Sequence, residues 1–316
     1  MRPLLLLVFA ASPALGQQVP DTAFDVSVPR PAFSARAPRV VLDEAHNNFH
    51  TASGRYLPFV NLLRNDGFRV TSGRAAFTAN GLREAEILVI ANALPAERTV
   101  EAERVSSAFT AAEADAVGEW VAEGGALLLI ADHAPFGGAA AILASRFGVD
   151  FGDGFVYDTA NYLTSLGAQN LPAVASIMVF SRDNRLLGEH PILAGRDPRE
   201  RINRVIAFTG QSMSIPARAS VLLRLSRTAV EAPTREALRE YGGTLVAGRA
   251  LGIALRYGRG RVVILGEAAM MSAQIAGGNP EARRTQLLMG MNHPGSDDKQ
   301  FALNVMRWLA GALETP

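Results

Sequence analysis

The sequence predicts an α/β domain built on a mostly parallel sheet with helices packed on both faces. Three observations carry this. Residues 87–90 (ILVI), 126–130 (ALLLI) and 262–265 (VVIL) are short, unbroken apolar runs, the pattern of strands buried on both sides rather than one. Residues between the first two repeat apolar positions at helical spacing, with Ala116, Val117, Trp120 and Val121 on one side. Strand and helix therefore alternate, as they must where parallel neighbours are reached through crossovers.

Taken in order, the chain opens Met1-Arg2-Pro3, followed by an uncharged apolar run from Leu4 to Ala11 and small residues at Ala14 and Gly16. That pattern predicts a secretory signal peptide over 1–16, cleaved before Gln17, and hence a periplasmic or secreted protein. The run is too short to cross a bilayer, so no integral membrane segment is expected after cleavage. Residues 17–37 have no sustained period and read as an extended leader lying against the domain. The remaining 38–316 read as a single domain.

Residues 39–43 (RVVLD) are an apolar strand ending in a carboxylate. Tyr56, Phe59, Val60 and Leu63 share a helical face, with Pro58 tolerable in the first turn. Gly67 closes that helix, and another strand begins at Phe68. Thr110 and Glu113 have capping-box spacing, and Gly124-Gly125 ends the helix they open. A second helix is expected over 139–147, stopped at Gly148. Residues 150–204 read as an irregular insertion carrying a few strands. Further strands are expected over 205–209, 221–225 and 251–257, the last turning through 257–261 into 262–265. The final helix is expected near Asp297, with Gln300 completing a second capping box.

The whole chain has 31 basic and 30 acidic residues, and the expected cleavage removes Arg2, leaving 30 of each. A nearly neutral surface argues against a nucleic-acid partner. There is no cysteine, which excludes cysteine nucleophiles, cysteine metal ligands and disulfides.

Parallel strands collect their C-terminal ends on one side, where open sheets bind ligands. This predicts that Asp43, Glu44, His46, Asn47, His50, Asp132, His133 and Glu267 gather into one polar site. His46 and His50 are four apart, which aligns their rings if that segment is helical. Imidazole with carboxylate is a donor set for zinc or another divalent metal, and His46, His50, His133 and Glu267 are the candidate ligands. The competing reading makes Asp43, Asn47 and Asn48 loop-pinning residues and the histidines ordinary polar contacts. Asp132-His133, followed by a Gly137-Gly138 loop, suits water activation or ligand orientation, and equally a plain strand-to-helix turn. Gln211 and Ser212 sit in a stretch that lacks the last glycine of a nucleophile elbow, so they are candidates for ligand hydrogen bonds. Asn292 and His293 are candidate rim contacts, and His190 reads as a surface or turn residue.

The segments 43–50 and 132–138, His190-Pro191-Ile192, Gly266-Glu267 and 292–298 together resemble an uncharacterised bacterial family related to class I glutamine amidotransferases. The resemblance spans about residues 38–312 and implies a three-layer, flavodoxin-like core. True amidotransferases use a cysteine at a strand-to-helix elbow, and this chain has none. The function expected is therefore an exported, non-catalytic ligand-binding or scaffold domain, its partner a small polar ligand or an envelope protein. The alternative is a metal-assisted hydrolase using the histidine and carboxylate cluster.

Overall fold

The computed structural model describes residues 18–97, 105–166, 174–277 and 286–313; the expected signal peptide lies outside them. In chain order the strands are β1 (Val19–Pro20), β2 (Arg39–Asp43), β3 (Arg69–Gly73), β4 (Ile87–Ala91), β5 (Ala126–Ile130), β6 (Phe155–Asp158), β7 (Ile177–Ser181), β8 (Arg204–Phe208), β9 (Ala219–Arg224), β10 (Ala229–Ala232), β11 (Thr244–Leu245), β12 (Ala250–Tyr257), β13 (Gly260–Leu265), β14 (Ala273–Ala276) and β15 (Leu287–Gly290). The helices are α1 (Leu57–Asn65), α2 (Ala79–Leu82), α3 (Ala111–Ala122), α4 (Phe136–Ser145), α5 (Pro191–Ala194), α6 (Arg235–Arg239) and α7 (Asp298–Leu309).

The main sheet runs β3-β2-β4-β5-β13-β12-β9. Its first five strands are parallel, while β12 is antiparallel to both neighbours. The turn read at 257–261 is thus a hairpin, with Gly258 at φ 57° supplying the positive φ that a tight hairpin needs. Alternate residues of each central strand point to opposite faces. Ile87, Val89, Leu128, Val263 and Leu265 pack under α1 and α7. Leu88, Ile90, Leu127, Leu129 and Ile264 pack under α3 and α4. Two apolar layers of this kind explain why the strands carry no polar alternation.

Several details depart from the sequence expectation. Strand β8 leaves the main sheet and pairs with β7, and β6 joins β10 and β11 in a separate antiparallel sheet, so the segment 150–204 supplies strands to two small sheets. Helix α4 begins at Phe136 rather than Ala139. Gly137 and Gly138 are therefore helical residues, and a Cβ on them would lie 2.1 Å from Gln211 Oε1 and 2.8 Å from Asp153 Oδ2. Close approach, not loop flexibility, is what those glycines serve. The capping box at Thr110 and Glu113 forms, but the one expected at Asp297 and Gln300 does not. Asp297 accepts instead from the amides of Asn203 and Arg204, and Gln300 bonds Asn304.

The leader lies on the domain. Strand β1 pairs with β14, Asp21 accepts from Asn292 at 2.9 Å, and Phe33 meets Phe68 edge-on at 4.7 Å. Gly67, at φ +94°, lies under this leader, and a Cβ there would be 1.8 Å from Phe33 O. A Gly67→Ala variant is expected to lose about 1–3 kcal/mol, since left-handed backbone and a carbonyl clash oppose it together. Limited proteolysis should show cleavage within 18–36 faster than in the parent protein.

Candidate functional site

The C-terminal ends of β2, β4, β5 and β13 lie on one edge, and most of the polar residues expected there are found there, in three distinct roles. His46 is structural. The segment around it is not helical, so its spacing to His50 does not align the two rings. Its Nδ1 lies 2.9 Å from Asp43 Oδ2, and its Nε2 2.9 Å from Glu113 Oε1. A ring flanked by carboxylates at both nitrogens donates twice and is an imidazolium. Burial opposes that charge, but the hydrogen bonds and charges of Asp43 and Glu113 outweigh it and raise the pKa. Phe77 and Phe109 enclose the ring at 4.5 and 4.7 Å. Glu113 also accepts from the amides of Phe77 and Thr110. Burial pushes its carboxyl up, yet these amides and His46 hold it down, to about 2.

Glu44, Asn47, Gln211 and Ser212 are likewise engaged within the protein. Glu44 turns to Ser72, Arg74 and the amide of Ala52, and Asn47 donates to Pro95 O. The Gln211 amide spans the carbonyls of Ala131 and Asp132 and the amide of Asp153. Ser212 is fully buried, and its hydroxyl donates to Glu231 at 2.5 Å while accepting from Arg249 at 2.7 Å. A seryl oxygen held this way is not presented to a substrate. Asn292 pins the leader. His293 packs against Phe208 at 5.8 Å, in the corner formed by β8 and β15. His190 is no mere surface residue: it caps α5 by accepting from Ile192 N, and packs edge-on against Trp308.

The third group gathers around Asp132, which is partly exposed, as is His133. Asp132 accepts from the His133 amide at 2.7 Å. Burial raises its carboxyl to about 7 against the pull of that amide and of the Arg235 charge. Glu267, at the end of neighbouring β13, accepts from the amides of Ala269 and Met270. Burial and the nearby Asp132 push it well above the usual carboxylate range. His133 stacks on Phe155 at 4.8 Å and donates from Nδ1 to Ala134 O; burial and then Arg235 lower its pKa to about 4. His50 stacks on Tyr56 at 4.6 Å and is neutral, since burial and then Arg55 lower its pKa to about 3.

Three residues that the sequence reading passed over complete this group. Asn92 follows β4 directly at φ 52°, and its Oδ1 accepts from Asp132 N. Arg55, just before α1, covers the ring of Phe49 at 4.0 Å, and Arg235 covers Phe155 at 4.9 Å. The rule that selected Asp43 and Asp132, a polar residue at the end of an apolar strand, applies equally to Asn92. No spacing marks either arginine.

Among the buried side-chain atoms without a hydrogen-bond partner are His50 Nδ1, Asn92 Nδ2 and Arg55 Nη1. A buried polar atom left unpaired costs about 1–3 kcal/mol, so three in one neighbourhood is a costly arrangement for a purely structural edge. Among the described residues, no group of three or more histidine, aspartate or glutamate side chains is disposed to hold a metal ion. Of the four expected ligands, His46 uses both ring nitrogens, and Glu267 uses both oxygens on backbone amides. A cavity of about 510 Å³ lies at the opposite, N-terminal edge of the sheet, between Phe33, Arg36, Glu86, Trp120, Arg261 and Leu309. Its Arg36 pairs with Glu86 and its Arg261 bonds Trp308 O, and none of the histidines lines it. No helix among the described residues is long and apolar enough to cross a membrane.

No family model matches the chain, and no curated protein matches it in sequence. Among solved structures, the mmIFT52 N-terminal domain superposes with a TM-score of 0.57 at 13% identity, covering 86% of this chain and 97% of that one. A cytoplasmic protein from Salmonella typhimurium gives 0.45 at 12% identity over 86% and 98% of the two chains. A ThuA-like protein from Bacteroides uniformis gives 0.42 at 13% over 90% and 96%. The first of these shows a shared α/β fold with a mixed, mostly parallel sheet.

Proposed function

We propose that this chain is a ligand-binding domain whose small polar ligand sits at the C-terminal strand edge, against Asp132, His133, His50, Asn92 and Arg55. The observation that carries the reading is the set of three buried nitrogens without partners, on His50, Asn92 and Arg55. A ligand offering acceptors recovers what their desolvation costs. The same reading takes the fold as amidotransferase-like and flavodoxin-like; support comes from the sheet order and the likeness to the mmIFT52 domain. Export to the periplasm or beyond remains part of the proposal, on the strength of residues 1–16. Covalent catalysis has little to draw on: there is no cysteine, and Ser212 is locked to Glu231 and Arg249.

A thermal-shift screen of small polar compounds against the full chain tests this. A ligand at a hundred times its Kd stabilises by about 2.7 kcal/mol. That shift should vanish in Asn92→Ala, measured against that variant's own ligand-free midpoint, which falls because alanine is strained at φ 52° and leaves Asp132 N without its acceptor. A ligand whose shift survives Asn92→Ala unchanged binds elsewhere and sinks the assignment.

A second reading, hydrolysis, has one specific support: a carboxyl poised near 7 beside a neutral histidine is suited to proton transfer. In that case Asp132→Asn abolishes turnover while leaving binding intact. If a metal assists, metal content measured on native protein will fall in His133→Ala.

A further inference from the structure

The geometry points to an oxyanion, a carboxylate or phosphate group, as the part of the ligand that Arg55, Asn92 and His50 receive. This rests on the ligand-site reading above and specifies its chemistry.

The first ground is charge. Arg55 bonds only a leader carbonyl, Gln18 O at 3.3 Å, and a ring face. Among the described residues it has no carboxylate within ion-pairing distance. Arg55 is half-buried, with Nη1 shielded from water and unpaired, and an oxyanion is the group its planar donor fork fits. Burial lowers the Arg55 pKa, and the charge of Asp132 opposes that fall, so the two side chains sense one another without being bonded.

The second ground is the supply of donors. His50 is neutral and 3% exposed, and Asn92 is 1% exposed. Both have a nitrogen without a partner, and an amide NH₂ donates in either case. Their placement is shared. Asn92 O accepts from Phe49 N, the Phe49 ring lies 5.4 Å from the His50 ring, and Arg55 lies over that same Phe49. The Asn92 side chain also approaches the Asp132 carboxyl and helps to hold its charge. Arg55, Asn92 and His50 thus surround Phe49, and Arg55 and Asn92 lie near enough to Asp132 for their charges and dipoles to act on one another.

The test uses the full chain with succinate, inorganic phosphate and glucose as probes, read by calorimetry. The expected result is saturable binding of succinate or phosphate and none of glucose. Arg55→Gln should lose binding at least tenfold. Asp132→Asn, which removes a like charge, should bind the anion at least as tightly as the parent. Succinate alone identifies a carboxylate ligand, and phosphate alone a phosphoryl one. Glucose binding that Asn92→Ala abolishes, with neither anion binding, would overturn the oxyanion and leave the ligand site standing. Anion binding that Arg55→Gln does not weaken would overturn it too. Absence of binding by all three probes, to both parent and Asp132→Asn, would overturn this inference alone, since the wider screen tests the site.

Discussion

An Arg307→Met variant is expected to lose about 3–5 kcal/mol, the cost of leaving a buried carboxylate without its counter-charge. Arg307 is 1% exposed and grips Asp66, itself fully buried, through Nε and Nη2 at 2.8 and 2.7 Å. Its Nη1 lies 3.2 Å from Glu200, which also pairs with Arg30 and Arg196. Asp66 further accepts from the amide of Ala32 in the leader at 2.8 Å. The single variant therefore unsettles α1, α7 and the leader together, and the thermal midpoint should fall on the order of 10 °C. Arg307→Met combined with Asp66→Asn should recover much of the loss, because the stranded charge goes with it. A single variant that melts within a degree of the parent would show that the network contributes nothing.

His46→Gln is expected to cost a similar amount, about 3–5 kcal/mol, and its cost should depend on pH. His46 has a folded pKa above its reference of 6.5. Its contribution is therefore complete below 6.5 and disappears as pH rises through the folded value. Glu113 moves the other way, from 4.5 down to about 2. Its contribution is complete above 4.5 and is lost as pH falls toward 2. Urea unfolding of parent and variant should then differ most between pH 4.5 and 6.5, with the gap closing on both sides. A gap that is constant from acid to alkali would mean that His46 is not held as an imidazolium by its two carboxylates.

Apolar runs and helix caps made most of the central sheet legible. Residues 87–90, 126–130 and 262–265 are strands because both of their faces are covered, and Thr110 with Glu113 carries a local signal that needs no tertiary partner. Strand direction was harder to read, since β12 has the same apolar character as its parallel neighbours and only the glycine turn at 257–261 marks its reversal. The site was legible as an edge and not as a set of contacts. Asp132, His133, His50 and Glu267 lie where strand ends predict. Yet His46 meets Glu113 across 67 positions, and no motif encodes that pairing. Arg55 and Arg307 are single cations in unremarkable surroundings, and their importance comes from what burial removes around them. Gly137 and Gly138 misled because glycine marks close packing as readily as it marks a loop.

The leader has a consequence for the order of assembly. Its anchors are distant in the chain: Asp21 waits for Asn292, 271 residues on, and the carbonyl of Arg30 for Arg307, 277 residues on. Segments made first are thus docked last, after the C-terminal helix has been formed and seated. Contacts of such long sequence separation form slowly, and until they do the β14 edge and the Asp66 carboxylate lack their partners. Residues 18–36 would act as a late latch on a nearly finished domain, and the interval before they close is when the chain is most exposed to mispairing.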